Sequence, residues 1–249
     1  MPKGEIKGVT FSKSLEEAQG KVLTEYLSLI QEEIVREIKR IIANNELIGE
    51  GRTAKVFDIT VEHSSIPICV KIWHSHLRDM GQLELQKMQS SSPIGEFELQ
   101  DQLYLAGFRS VPEPISLTRF EGVSVMAMER VIGYSLKQII DAGGQIANPK
   151  WSDLEKLVVE MHRKYNIAHR DLGPQNIMLE TDEKLEPGAK LSGRLVIIDF
   201  GLSKNTIGEP SDEDYLLTIG DSIIRYQQDF ANIDSLKPRR GNDQTPFTS

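Results

Sequence analysis

An acid, an amide and a second acid stand beside short apolar runs in the latter half of the chain: Asp171 and Asn176 in "IAHRDLGPQNIMLE" (167–180), and Asp199 in "LVIIDFGLSK" (195–204). Carboxylate and carboxamide oxygens suit hard cations, as thiols would not. The same residue types are also what turns need, since Asp and Asn bond nearby backbone while Gly and Pro supply special φ values. Upstream, "IGEGRTAKVF" puts Gly49 and Gly51 between strand-forming residues, where a missing Cβ lets backbone N–H groups approach an anion. Taken alone, a plain hairpin turn is the better account of these glycines. Lys71 follows Gly51 by 20 residues, inside the apolar run "ICVKIW". Its ammonium group either reaches water at a sheet edge or takes a carboxylate. Glu84, Glu96 and Glu98 are the available acids, and Glu96, in the helical pattern "GEFELQDQLYLAGF", is favoured.

Elements able to hold these groups can be read from periodicity. Leu15, Ala18, Val22, Tyr26, Ile30, Ile34, Ile38 and Ile41 or Ile42 recur at intervals of three and four, which predicts an amphipathic helix over 15–42. "ELIGEGRTAKVFDITV", "IPICVKIW", "VPEPISLTRF" and "VSVMAMERV" are β-branched and aromatic runs broken by Gly or Pro and predict strands. Between the second and third lies a helical pattern closed by Gly107. Beyond Gly133 the character turns helical, in "SLKQIIDAG" and in "SDLEKLVVEMHRKYN", the latter with a capping-box pattern at Ser152 and Glu155. The polar stretch "TDEKLEPGAKLSG" suits a hairpin excursion, and a last helix is expected over 211–230.

Composition limits the classes. The 249 residues suffice for a sizeable core, 39% are hydrophobic and 27% charged, and no run approaches the roughly 20 apolar residues that span a bilayer. A formal charge of −8 argues against general or sequence-specific nucleic-acid binding, because neutralising phosphates needs clustered positive charge. The single cysteine, Cys69, and an N-terminus without a signal-peptide core favour a cytoplasmic location. Membrane association is not expected.

Taken together, the glycine pair, the strand lysine, "HRDLGPQN" and "DFG" resemble the protein-kinase family over roughly 46–204. The resemblance implies an α+β, bilobal fold with a β-rich N-lobe, a reduced and mostly helical C-lobe, and an extra N-terminal helix. The corresponding division is an extension at 1–45, an N-lobe at 46–132, a C-lobe at 133–235 and a flexible tail at 236–249. It also implies ATP and Mg²⁺ as cofactors. Gly49 and Gly51 would then cover the phosphates, and Lys71 paired with Glu96 would hold the α/β-phosphates. Asp171 would accept or orient the substrate hydroxyl proton, and Asn176 and Asp199 would each hold Mg²⁺. "MERV" is similar to the segment that joins the lobes, with Met128 guarding the adenine pocket and the backbone of Glu129 to Val131 pairing with adenine. Val56, Cys69 and Met178 complete the cofactor-binding set.

Within the superfamily, "GEFELQDQLYLAGFRSVPEPI" with "MERVIGYSL" looks like the RIO kinases, and "IDFGLSK" followed by an acidic helix looks like the kinase of the KEOPS tRNA-modification complex. The 48 residues after Gly201 are few for the activation segment and substrate platform of ordinary protein kinases, and no A-P-E motif appears. The expected activity is ATP- and Mg²⁺-dependent serine/threonine phosphorylation, of a protein substrate or of the chain itself. The alternatives are an ATPase switch with a ribonucleoprotein or tRNA-modification assembly as partner, and a small-molecule kinase of the aminoglycoside-phosphotransferase type. Gly173 stands where serine/threonine kinases typically carry a lysine, which weakens contact with the γ-phosphate or substrate.

Overall fold

The computed structural model describes residues 6–13, 21–44, 47–51, 53–62, 64–74, 92–120, 122–148 and 151–205. The chain divides into two compact units, Met1–Gly107 with Pro112–Arg130, and Phe108–Val111 with Val131–Ser249.

The first unit is built on a six-stranded antiparallel sheet in the order β1-β5-β6-β4-β3-β2. Its strands are β1 (Ile6–Phe11), β2 (Leu47–Glu50), β3 (Ala54–Ile59), β4 (Ile68–Trp73), β5 (Pro114–Phe120) and β6 (Val123–Glu129). Side chains on a strand alternate between faces, so β4 presents Ile68, Val70 and Ile72 to one side and Cys69, Lys71 and Trp73 to the other. Helix α1 (Lys21–Asn44) lies on the first face, where Ile30, Ile34, Val35, Ile38 and Ile41 form one core with Phe57, Ile59, Ile68, Val70, Ile115, Val125 and Ala127. Each isoleucine buried there contributes about 1.5–3 kcal/mol. The three-and-four spacing of the sequence is therefore the docking stripe of α1; its expected first turns, 15–20, lie outside the described residues.

Helix α2 (Pro93–Leu105) joins the opposite face, where Phe97 packs with Ala54, Trp73 and Met126. Its start follows from local chemistry. The Ser92 hydroxyl accepts from the Gly95 N–H at 3.1 Å, and Pro93 takes a first-turn position where no N–H is needed. The helix ends at the Ala106 cap before Gly107, which has φ +89°. Strand β1 is absent from the sequence reading, which gives 1–45 to a helical extension. Its six residues include Gly8 and a register shift between Lys7 and Val9, so they show no clean alternation, and pairing with the edge of β5 supplies the order.

The second unit contains β7 (Gly133–Ser135), α3 (Leu136–Asp141), β8 (Gln145–Asn148), α4 (Trp151–Tyr165), β9 (Ile167–Ala168), β10 (Ile177–Glu180), β11 (Lys190–Ser192), β12 (Arg194–Ile197), a 3₁₀ turn at Phe200–Leu202 and β13 (Lys204–Asn205). Strand β10 is the centre of an antiparallel trio, β12-β10-β7, while β9 pairs with β13. The polar excursion between β10 and β12 does more than turn the chain, because β11 within it pairs in parallel with β8. Helix α3 has a capping box formed by Ser135 and Gln138. Helix α4 begins at Trp151; the side chains of Ser152 and Glu155 lie outside the described ones. Leu136 and Ile139 of α3, Leu154, Val158 and Met161 of α4, and Ile177, Leu179, Val196 and Ile197 are all buried. The helix expected at 211–230 and the tail from 236 lie outside the described residues. No helix among the described residues is long and apolar enough to cross a membrane.

Candidate active site

In the first unit the sequence-predicted residues share the α2 side of the sheet. Register pairs Val56 with Lys71 and Lys71 with Met126, and in the next row Asp58 with Cys69 and Cys69 with Met128. Residues directly opposite on antiparallel strands point to the same face, so Val56, Lys71, Cys69 and Met128 form one surface patch of the sheet. Lys71 is 5% exposed, and its Nζ donates to Glu96 Oε1 of α2 at 2.5 Å. The ammonium also lies 5.3 Å from the Trp73 ring centroid. A buried lysine keeps its charge only when a partner offsets desolvation, and Glu96, at 2% exposure, does this. Gly49 lies opposite Val56, and Gly51 donates its N–H to the Ala54 carbonyl at 2.8 Å, closing the turn between β2 and β3. A Cβ at either glycine would meet nothing closer than 3.6 Å, so the chain's own packing does not demand glycine at these positions. His74 Nε2 sits 3.2 Å from the Gly51 carbonyl.

Burial pushes the Cys69 thiol up to about 12, with a smaller contribution from the Asp58 carboxylate. The thiol donates weakly to the Glu129 carbonyl at 3.8 Å and is inert as a nucleophile near neutral pH. The end of β6 is braced twice against one residue: the Glu129 N–H donates to the Glu113 carbonyl at 2.8 Å, and the Glu113 N–H donates to Glu129 Oε2 at 3.0 Å. Arg130 forms an ion pair with Asp58.

In the second unit the two acidic motifs are brought together by backbone pairing. Strand β10 runs antiparallel to β12, and the Ile198 N–H donates to the Asn176 carbonyl at 2.9 Å, so Asn176 and Asp199 sit at the same end of that ladder. The Asn176 amide donates from Nδ2 to the Asp171 carbonyl at 2.7 Å and to Asp171 Oδ2 at 3.1 Å. Asn176 thereby sets the direction of the Asp171 carboxylate. The turn between them is closed by Gly173 N–H to the Asp171 carbonyl and Asn176 N–H to the Gly173 carbonyl, both at 2.9 Å. The His169 ring nitrogen lies 3.0 Å from the Ile198 carbonyl, and its ring meets Phe200 edge-on at 5.0 Å.

Arg170 and Asp199 have φ of 69° and 62°, a left-handed region that non-glycine residues occupy at a cost. Each has a local compensation, Arg170 donating to the Leu202 carbonyl at 3.3 Å and Asp199 accepting from the Gly201 N–H at 3.4 Å. Met178 is half-buried on β10 opposite Val196 and Ser135, and Val131 is 9% exposed.

Three contacts are absent from the sequence-based expectations. Gln100 of α2, 2% exposed, donates from Nε2 to the Pro112 carbonyl at 2.8 Å and touches Met128 Sδ at 3.9 Å. The Ser203 hydroxyl donates to the His169 carbonyl at 3.2 Å. The Glu129 carboxylate holds Glu113, as above. The signal available for Gln100 was its place four residues after Glu96, on the same side of a helix.

The protein kinase domain family matches residues 42–220, more than two thirds of the chain. This chain belongs to that family. Among curated proteins, this kinase-domain chain is 31% identical over 88 residues to the probable serine/threonine-protein kinase PknB of Lactococcus lactis, and 31% identical over 107 residues to a serine/threonine-protein kinase of Caenorhabditis elegans. Those alignments cover 34% and 40% of this chain but only 12% and 9% of the relatives' length. Among solved structures, the Rio2 kinase from Chaetomium thermophilum matches with a TM-score of 0.53 at 18% identity, over 80% of this chain and 60% of that one. The same kinase as an ADP/Mg²⁺–phosphoaspartate complex matches with a TM-score of 0.52, over 82% and 59%. At that identity the likeness is one of fold: the α+β architecture here is similar to that of the Rio2 kinase.

The donor set is compatible with Mg²⁺. Asp199 is exposed on a tight turn, and the Asn176 amide, whose nitrogen faces Asp171, leaves its oxygen for a cation; both are hard ligands.

Proposed function

We propose that this kinase-domain protein is an ATP- and Mg²⁺-dependent phosphotransferase acting on a serine or threonine hydroxyl of a protein, its own chain included, in the manner of an atypical kinase. The observation that carries this reading is the buried Lys71–Glu96 pair. The sheet accepts the penalty of burying an ammonium group on the patch that also bears Val56, Cys69 and Met128. In the proposed reaction Lys71 binds the α/β-phosphates, and the turn of Gly49 and Gly51 lies over them, which gives those glycines the reason that packing does not supply. Val56, Cys69, Met128 and Met178 contact the adenine, and the backbone of Glu129 to Val131 pairs with its edge. Asn176 and Asp199 hold Mg²⁺, which would neutralise phosphate charge. Asp171, aimed by Asn176, orients the substrate hydroxyl and takes its proton.

The test is incubation with γ-labelled ATP and Mg²⁺, alone and with a lysate, beside Asp171→Asn and Asp199→Asn variants. Alkali-sensitive, acid-stable label on Ser or Thr that both variants lose supports the proposal. Wild-type protein that neither binds ATP nor transfers phosphate ends it.

One observation favours a second reading. The structural relative named as an ADP/Mg²⁺–phosphoaspartate complex carries a phosphorylated aspartate, the chemistry of an ATPase with a covalent intermediate. In this chain that reading makes Asp171 or Asp199 an acceptor whose acyl phosphate is hydrolysed, driving a switch in a ribonucleoprotein or tRNA-modification assembly. Hydroxylamine-labile label with release of free phosphate would select it.

A further inference from the structure

We infer that Asp101 is a positioning residue for Lys71 and Glu96, and that the N-terminal strand β1 exists to supply its partner. Five residues of α2 are buried, and three of them are polar: Glu96, Gln100 and Asp101, beside Phe97 and Leu103. Apolar contacts are non-directional and let a helix slide, whereas hydrogen bonds fix its register and rotation. Each polar group has a partner on a different element of the same unit. Glu96 meets Lys71 of β4, and Gln100 holds the Pro112 carbonyl at the entrance to β5. Asp101, 6% exposed, accepts at Oδ2 from the Lys13 backbone N–H at 2.9 Å.

The Lys13 donor is placed by β1. That strand pairs with β5 from Ile6 opposite Phe120 to Phe11 opposite Ser116, and the next residue, Ser12, donates its N–H to the Ile115 carbonyl at 3.1 Å. Ser12 is fully buried, so the chain leaves the sheet edge at one defined point and delivers the following N–H to α2. The Lys13 side chain is exposed, and among substitutions at this position only proline removes the backbone donor. Asp101 sits five residues beyond Glu96 on the same rigid helix. Release of the Asp101 contact frees one end of α2 and lets Glu96 move relative to Lys71. The assignment of a phosphate-binding role to Lys71 rests on the proposed function; the mechanical link between Asp101 and the Lys71–Glu96 pair does not.

The experiment measures how fast Lys71 of the intact chain is acylated by an amine-reactive ester, read by peptide mass spectrometry, in wild type, Asp101→Ala and Asp101→Asn. Cys69 alkylation in the same samples reports opening of the whole sheet. Asp101→Ala is expected to speed Lys71 acylation about tenfold or more, the scale of one hydrogen bond to a charged group, with Cys69 alkylation unchanged. Asp101→Asn keeps an acceptor oxygen and is expected to stay within about threefold of wild type. Should Asp101→Ala fail to fold, Lys13→Pro removes the donor instead and carries the same expectation. Lys71 acylation at the wild-type rate, or rising only in step with Cys69, overturns the inference. In an active protein Asp101→Ala raises the KM for ATP more than it lowers kcat. A wild type without phosphoryl transfer sinks the kinase proposal and leaves the acylation result decisive for the link.

Discussion

Breaking the Lys71–Glu96 pair from one side should destabilise the first unit far more than removing both partners. The two side chains are 6% and 3% exposed with Nζ and Oε1 at 2.5 Å, so Lys71→Met leaves a carboxylate buried without its cation, and Glu96→Leu leaves the ammonium. Either change is expected to cost about 3–5 kcal/mol, whereas the double variant Lys71→Met/Glu96→Leu replaces the pair with apolar groups of similar volume and is expected to lie within about 1–2 kcal/mol of wild type. Trp73, buried 5.3 Å from Nζ, makes urea unfolding of this unit readable by fluorescence. With a urea slope near 2 kcal/mol per molar, each single variant shifts the midpoint down by about 2 M. The double variant should recover most of that shift yet bind no ATP, separating the fold requirement from the chemical one. Single variants losing less than about 1 kcal/mol, or a double variant losing the sum of both, would refute the claim that this is a desolvated, mutually dependent pair.

Cys69, whose thiol burial raises from 9.0 to about 12, should resist iodoacetamide at pH 8 in the native state and react on unfolding. Because the folded state holds this proton more tightly than the unfolded chain, stability from this group is full below pH 9.0 and falls as pH rises toward about 12, a slope that Cys69→Ala should remove from urea titrations. Gly133→Ala would set a Cβ 2.0 Å from the Leu179 carbonyl oxygen at a backbone φ of +152°, and is expected to lower the stability of the second unit by about 3 kcal/mol in circular-dichroism melts. Asp199→Asn, at an exposed turn, should leave the unfolding free energy from urea titration within about 0.5 kcal/mol of wild type while lowering phosphoryl transfer at least about 100-fold in the labelled-ATP assay.

Much of the first unit is legible because its signals are local. The β-branched and aromatic runs "ICVKIW" and "VSVMAMERV" predict strands, and the three-and-four spacing of Ile30, Ile34, Ile38 and Ile41 predicts a helix with one apolar stripe. The structure places that stripe on one face of the sheet and Lys71 on the other. Gly107 marks the end of α2 for the same reason, since capping is decided within one turn. The second unit is less legible. Strands β8, β9, β11 and β13 have two to four residues each, too few for a period, and they exist through partners distant in sequence.

The sequence by itself determined which chemistries this kinase-domain chain has to hand: a lysine amid apolar residues, two aspartates and an asparagine at turn-forming positions, and two glycines where a Cβ is dispensable. Tertiary structure decided which of three nearby acids meets Lys71, by turning Glu96 inward on α2. It also decided that a six-residue strand would seal the edge of β5, that the next N–H would reach Asp101, and that Gln100 would hold Pro112. The physical reason is one of range. Periodicity and capping act over a few residues and are written in the local pattern, whereas a hydrogen bond between positions 13 and 101 is specified only when the whole sheet has set both groups in place.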